Sequence, residues 1–219
     1  MVNPKRIAVI PALNEEGTIG AVIKAAKDYA DEVIVVDDAS TDGTAIAARE
    51  NGATVTSHHN RQGYDRAIGD GFAMAVKNKA DIIVTLDADG QHLPLDIPRL
   101  TQPIEEGNAD IVVGRRGRHA RVSEWLFAAI AKVVLRIDDP LCGFKAYDVE
   151  VYRAIGHFDT LSSIGTQLIF SAGRKGYRLA QVDIGLKTRG DIPRFGKSVV
   201  ANYKILKALA RILVLLMTG

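Results

Sequence analysis

Ile82-Ile83-Val84-Thr85-Leu86-Asp87-Ala88-Asp89-Gly90-Gln91 sets an unbroken apolar run directly before a short acidic loop. An apolar run of this length, rich in β-branched residues, fits a strand buried on both faces, the environment of a parallel sheet. Similar runs recur on either side: Arg6-Ile7-Ala8-Val9-Ile10, Val33-Ile34-Val35-Val36, residues 53–57 and Ile111-Val112-Val113. Between them, residues 18–29, 41–51, 67–77 and 94–106 follow helical patterns, the second opened by the capping cluster Ser40-Thr41-Asp42. The alternation predicts an α/β fold, Rossmann-like, with a mainly parallel central sheet and helices on both faces. In such sheets ligands bind beyond the carboxyl ends of the strands. Asn14 with Glu15, Asp37 with Asp38, and Asp87 with Asp89 each follow a strand, so they are expected to converge on one edge.

Beyond residue 115 the alternation lapses. Residues 123–136 and 166–174 fit helices, 143–148 and 177–182 extended chain, and 199–217 a closing helix with Lys204, Lys207 and Arg211 beside an apolar end. No repeat or low-complexity linker divides the chain. The expectation is one domain over residues 1–198 and an amphipathic helix over 199–219, a candidate for contact with a membrane surface. The 219 residues, 47% hydrophobic and 25% charged, are ordinary for a soluble globular protein, and a net charge of +2 does not point to nucleic acid as a partner. The single cysteine, Cys142, rules out an intrachain disulfide and fits a reducing compartment. The first apolar run is too short for a signal peptide, and no stretch approaches the roughly 20 apolar residues of a membrane span. A cytoplasmic protein, soluble or peripheral on the cytoplasmic face of a membrane, is expected.

Asp87 and Asp89 present carboxylates one residue apart on a loop turned by Gly90, to which Gln91 adds an amide oxygen. This is a donor set for a hard divalent cation, Mg²⁺ or Mn²⁺, with positions left for water and diphosphate. A diphosphate leaving group needs such help as its negative charge develops. Capping the next helix is the simpler use of an Asp-x-Asp turn, but the second acidic pair, Asp37-Asp38, after another strand favours the metal. Asp37 and Asp38 are placed to accept hydrogen bonds from a ribose or a base, and Glu15 to bind nucleotide. Glu16 suits a helix N-terminus. Arg115, Arg116, Arg118, His119 and Arg121 crowd the segment after the fifth strand and together suit a phosphate near an anionic membrane surface. His58 and His59, adjacent at a strand end, point to opposite faces and so share no metal. His92 is expected as a polar turn residue and Cys142 as a packing residue.

Pro11-Ala12-Leu13-Asn14-Glu15, Val36-Asp37-Asp38-Ala39-Ser40-Thr41-Asp42-Gly43-Thr44 and Leu86-Asp87-Ala88-Asp89-Gly90-Gln91, in this order, resemble the family 2 glycosyltransferases of GT-A fold. Gly114-Arg115-Arg116 and Asp139-Pro140-Leu141-Cys142-Gly143-Phe144-Lys145-Ala146-Tyr147 are similar to the branch containing the dolichyl-phosphate mannose synthases. The resemblance extends from about residue 7 to residue 198. It implies that Pro11, Leu13, Glu15 and Asp38 line a nucleotide pocket with Asp37 beside them. It assigns Asp87, Asp89 and Gln91 to the metal and the donor diphosphate, and places Asp139 in the catalytic-aspartate region. Asp89 and Asp139 are thus the catalytic candidates. Arg116 matches the family's Gly-x-Arg position and, with Arg115 and Arg189, is assigned to an acceptor phosphate. Lys197, in the Gly196-Lys197-Ser198 turn, resembles the loop that closes over phosphate. Asp65 stands where the family commonly has glycine, there either narrowing the donor pocket or pairing with Arg66. Gln167 stands where relatives often have glutamate.

The activity so implied is an inverting glycosyltransferase moving a hexose from a nucleotide-diphosphate sugar, GDP-mannose or a UDP-sugar, to dolichyl or polyprenyl phosphate. Transfer to a saccharide hydroxyl is the alternative within the class, and there Asp139 would serve as general base. An ionised phosphate acceptor needs little base catalysis. A nucleotidyltransferase, from another class, would need a glycine-rich loop with Lys or Arg after the first strand. This chain has the acidic Pro11-Ala12-Leu13-Asn14-Glu15 instead.

Overall fold

The computed structural model describes residues 3–117, 121–187 and 198–218. The apolar runs are strands β1 (Arg6–Ala12), β2 (Glu32–Asp37), β3 (Thr54–Ser57), β4 (Ile82–Thr85) and β5 (Ile111–Arg115), joined later in the chain by β6 (Lys145–Asp148) and β7 (Leu179–Asp183). Every residue of β4 is buried, as a strand covered on both faces requires. The helices are α1 (Glu16–Ala26), α2 (Thr44–Glu50), α3 (Tyr64–Lys77), α4 (Ile97–Glu105), α5 (Val122–Leu135), α6 (Val149–Ile155), α7 (Gln167–Arg174) and α8 (Ser198–Thr218).

The strands form one sheet in the order β3-β2-β1-β4-β6-β5-β7. β1 lies between β2 and β4 and is parallel to both, with Ala12 opposite Asp37 and Val9 opposite Thr85. The chain moves outward from β1 to β2 and β3, then crosses back to β4, so the strand order reverses beside β1. Such a switch point opens a crevice at the carboxyl edge. The loops after β1, β2 and β4 all emerge there, the convergence expected from the sequence. β6 is the exception to parallel order, antiparallel to both β4 and β5. Its first residue, Lys145, lies opposite Thr85, so the turn before β6 arrives at the same edge as the acidic loop.

Local hydrogen bonding shifts some boundaries. α2 starts at Thr44 rather than in the capping cluster, because Asp42 accepts the Thr44 N–H at 3.0 Å and also its hydroxyl. α3 starts three residues earlier than the apolar spacing suggests, at Tyr64 after a left-handed Gly63. α6 had no counterpart in the sequence reading. Asp148 caps it by accepting the Glu150 N–H at 2.9 Å. α8 lays Ala201, Ile205, Ala208 and Ile212 inward as it packs on α5 and α7. Among the described residues, no helix is long and apolar enough to cross a membrane.

Candidate active site

The loops after β1 and β2 are tied to each other before any ligand is considered. Asn14 sits in the left-handed region (φ 54°), where its N–H donates to Ser40 Oγ at 2.9 Å and its side-chain oxygen accepts the Thr41 N–H at 2.8 Å. Ala39 opposite is also left-handed (φ 62°). Two such non-glycine residues cost on the order of 1–2 kcal/mol each, a strain that concentrates at functional sites. Glu15 receives Thr18 Oγ1–H at 3.0 Å and donates its own N–H to Thr44 Oγ1. Pro11 and Leu13 are half-buried beside it. Asp37 is buried at the end of β2 and accepts the Ser40 N–H.

Asp38, expected to line the nucleotide pocket, ties two loops together at the end of β2. One carboxylate oxygen accepts from Gln62 N–H at 2.6 Å and lies 2.8 Å from His58 Nδ1, while the other accepts from Gly63 N–H at 2.8 Å. His58 Nε2 in turn lies 3.1 Å from Asp70. Asp38 therefore fastens the 58–63 loop to the end of β2, a use of its oxygens that competes with contact to a base.

The acidic loop after β4 is shaped by a buried histidine. His92 Nδ1 accepts the Asp87 N–H at 3.1 Å, and its ring packs against Phe144 with centroids 5.1 Å apart. The polar turn residue expected from the sequence is thus a buried positioning group. Gly90 takes a left-handed turn (φ 72°), and Asp89 accepts the Gln91 N–H at 3.0 Å. The Asp87 side chain, 37% exposed, leans on Gly143 so closely that a β-carbon there would stand 2.7 Å from a carboxylate oxygen. Gly143 thus makes a cradle for Asp87 that no other residue would leave open. The Gln91 backbone carbonyl accepts the Lys187 N–H at 2.9 Å, which ties the segment after β7 to the loop.

On the far side of Gly143, Asp139 is 1% exposed and held by Arg116: Nε donates to one oxygen at 2.7 Å, Nη2 to the other at 2.8 Å, and the Arg116 backbone N–H adds a third bond. Burial works against the Arg116 charge, but its bonds to Asp139 prevail and raise its pKa. Glu124 lies 3.8 Å from Arg116 and accepts from Arg121 at 2.8 Å. Arg115 goes elsewhere. It donates twice to Asp183 and once to Asp138, which Lys132 and Gln181 also hold. The physical reason is the period of two along an extended chain: neighbouring arginines face opposite ways. Arg189 and Lys197 lie outside the described residues, as do Arg118 and His119. Cys142 is fully buried with its thiol pushed up to about 12 by burial, a packing residue rather than a nucleophile.

An acidic loop at a switch point, a strained pair of neighbouring turns and a buried Arg–Asp pair thus sit on a fold shared with known proteins. Residues 7–159 match the sequence model of Glycosyl transferase family 2. The chain belongs to this family. The undecaprenyl-phosphate mannosyltransferase of Micrococcus luteus is 29% identical over 201 residues, 81% of this chain and 82% of that one. The dolichol-phosphate mannosyltransferase of Pyrococcus furiosus is 30% identical over 217 residues, 87% of this chain and 59% of the relative. Among solved structures, glucosyl-3-phosphoglycerate synthase from Mycobacterium tuberculosis, in complex with Mn²⁺, UDP and glucosyl-3-phosphoglycerate, is similar with a TM-score of 0.74 at 26% identity, covering 96% of this chain and 80% of that one. The protein is a glycosyltransferase of GT-A fold, which sets aside the nucleotidyltransferase reading.

Within this family 2 fold, Asp65 neither pairs with Arg66, which bonds Asp70, nor lies open. It accepts Gly165 N–H at 2.6 Å and Ile164 N–H at 3.3 Å, and Asp159 shares the Gly165 N–H at 3.0 Å. Gln167 serves the same loop, accepting the N–H groups of Thr160 and Leu161. Burial, then the charge of Asp159, push Asp65 up to about 6. Its folded pKa exceeds the unfolded value, so the stability it contributes is full below about pH 4 and is lost as pH rises through about 6. Urea unfolding is expected to show on the order of 2 kcal/mol lost across that window, a slope that Asp65→Asn flattens. An unchanged slope in the variant contradicts the assignment.

Proposed function

We propose that the protein transfers a hexose with inversion from a nucleotide-diphosphate sugar to a polyprenyl phosphate, at the membrane surface. The observation that carries the acceptor class is the state of Asp139. Both of its oxygens are engaged by Arg116, so the turn offers no free base to deprotonate a hydroxyl. A phosphate oxygen is already ionised and needs none. It attacks the anomeric carbon, the carbon–oxygen bond to the diphosphate breaks, and the nucleoside diphosphate leaves with the electron pair. The mannosyltransferase relatives, named for undecaprenyl and dolichol phosphate, support this acceptor.

Asp87, Asp89 and Gln91 fit a Mg²⁺ or Mn²⁺ ion. The donor set is all oxygen, and the Gly143 cradle lets the Asp87 carboxylate occupy space that a larger residue would fill. Among the described residues no group of three or more His, Cys, Asp or Glu gathers for a metal, so the protein offers part of a shell and the donor diphosphate supplies the rest. When bound, the ion would neutralise charge developing on the leaving diphosphate. His92 holds the loop backbone in place, and Glu15, Asp37, Pro11 and Leu13 border the nucleotide side of the crevice. Arg116, with Nη1 left over from its bonds to Asp139, faces the acceptor phosphate, and Arg189 and Lys197 are its proposed companions.

The outer faces of α5 and α8 favour a lipid surface. Val122, Trp125 and Val133 on α5 and Val199, Tyr203, Val214 and Met217 on α8 are exposed. α8 carries Lys204, Lys207 and Arg211 and no acidic residue. Exposed apolar side chains beside cations suit anionic lipid. Trp125→Glu is expected to weaken sedimentation with phosphatidylglycerol vesicles about tenfold, the scale of one lost aromatic anchor. No change, or equal binding to neutral vesicles, contradicts this surface.

A second reading, transfer to a small phosphorylated acid, is favoured by the likeness to glucosyl-3-phosphoglycerate synthase. Incubation with radiolabelled GDP-mannose or UDP-glucose, Mn²⁺ and either undecaprenyl phosphate or 3-phosphoglycerate separates the two. Label extracted into organic solvent supports the lipid acceptor. Label confined to water-soluble product supports the second reading.

A further inference from the structure

Lys145, at the start of β6, is buried to 3% exposure and has no task in the transfer just described. Its ammonium carries three donors but has one hydrogen-bond acceptor among the described residues, the Gly165 carbonyl at 3.1 Å. Burial pulls its pKa down, while Cys142, Asp139 and Asp87 draw it up, so the group lies within electrostatic reach of both the acidic loop and the catalytic turn. Two residues earlier, Gly143 touches the Asp87 carboxylate. Two residues later, on the same strand face, the buried Tyr147 hydroxyl has no hydrogen-bond partner among the described residues.

The loop above Lys145 is pinned rather than loose. Its Gly165 peptide is gripped at both ends, the N–H by Asp65 and Asp159 and the carbonyl by Lys145. Ser162, Ile164 and Gly165 all have positive φ, a strained path that needs such anchoring. Buried polar groups are almost always satisfied, so the spare ammonium donors of Lys145 and the orphan hydroxyl of Tyr147, two residues apart on β6, mark a place for ligand oxygens.

We propose that Lys145 is a specificity-determining residue whose spare N–H bonds take an oxygen of the donor's glycosyl group on the inner side of Asp87. The proposal rests on the donor-site reading above. Calorimetric titration in Mn²⁺ with UDP, UDP-glucose, GDP and GDP-mannose tests it. Wild type and Asp89→Ala are compared first. If neither binds, or both bind alike, the donor-site reading itself fails and this proposal falls with it.

With that site in place, Lys145→Met is expected to weaken the nucleotide sugar about tenfold more than the matching nucleoside diphosphate, the scale of one charge-assisted hydrogen bond. Lys145→Arg keeps the charge but displaces the donors. It is expected to shift the same ratio in the same direction, and it decides the matter if the methionine variant does not fold. A ratio unchanged in the variant that folds overturns the proposal. Lys145 then only holds the Gly165 loop or bonds a buried water.

Discussion

Replacing Asp89 by alanine is expected to lower the turnover of hexose transfer by about a thousandfold while leaving the fold intact. Asp89 stands on an irregular loop beyond β4, half-buried, and accepts the Gln91 N–H. The Gly143 cradle and His92 instead shape the position of Asp87. In the proposed site Asp89 is one of two carboxylates of a partial metal shell, so its loss would remove counter-charge to a departing diphosphate, and effects of this kind reach about a hundredfold to a thousandfold. The measurement is kcat with saturating donor, alongside a thermal melt. A melt like wild type with turnover reduced less than tenfold would show that the loop does not serve the leaving group.

The second large effect concerns stability as well as turnover. Arg116→Ala strips the buried Asp139 of both hydrogen bonds from the guanidinium and leaves it only the backbone N–H of residue 116. Removing one member of a buried ion pair typically costs about 3–5 kcal/mol, because the other charge is left without a partner. Urea unfolding should register a loss of that order. The double variant Arg116→Met/Asp139→Leu should regain most of it, since an apolar pair of similar volume carries no stranded charge. Neither should transfer hexose at a measurable rate. Asp139→Asn keeps the shape and part of the bonding, and retained turnover on a lipid phosphate would agree with a positioning role. Abolished turnover in a folded Asp139→Asn would instead require Asp139 as a base and favour a hydroxyl acceptor.

Much of this site was legible in the sequence because its parts follow strands. Apolar runs of four or five residues locate β1, β2 and β4, and whatever follows a parallel strand must lie at the carboxyl edge. The acidic loop could therefore be placed beside Asp37 and Glu15 without coordinates. What the sequence does not encode locally is partnership over long separations. Asp38 is drawn off by a loop more than twenty residues away, and Asp65 by a peptide a hundred residues away. Arg115 and Arg116 are chemically alike in the sequence, and only the register of β5 against its neighbours decides which one meets Asp139. The period of two says that they differ but not which is which.

The burial of Lys145 is hidden in the sequence for a related reason. The extended pattern of residues 143–148 was visible, but antiparallel insertion between β4 and β5, which buries the lysine, was not. His92 shows the same limit, since a histidine in a turn looks solvated until Phe144 is folded over it.

In the proposed site the loop from Asp87 to Gln91 holds a metal-bound nucleoside diphosphate. Crystals grown with Mn²⁺ and either UDP or GDP, measured for anomalous scattering, test it most directly. The account predicts one manganese peak within bonding distance of Asp89 and the diphosphate, at the carboxyl edge of β4. A nucleotide bound with the manganese peak elsewhere, or with no manganese at the loop, would contradict it.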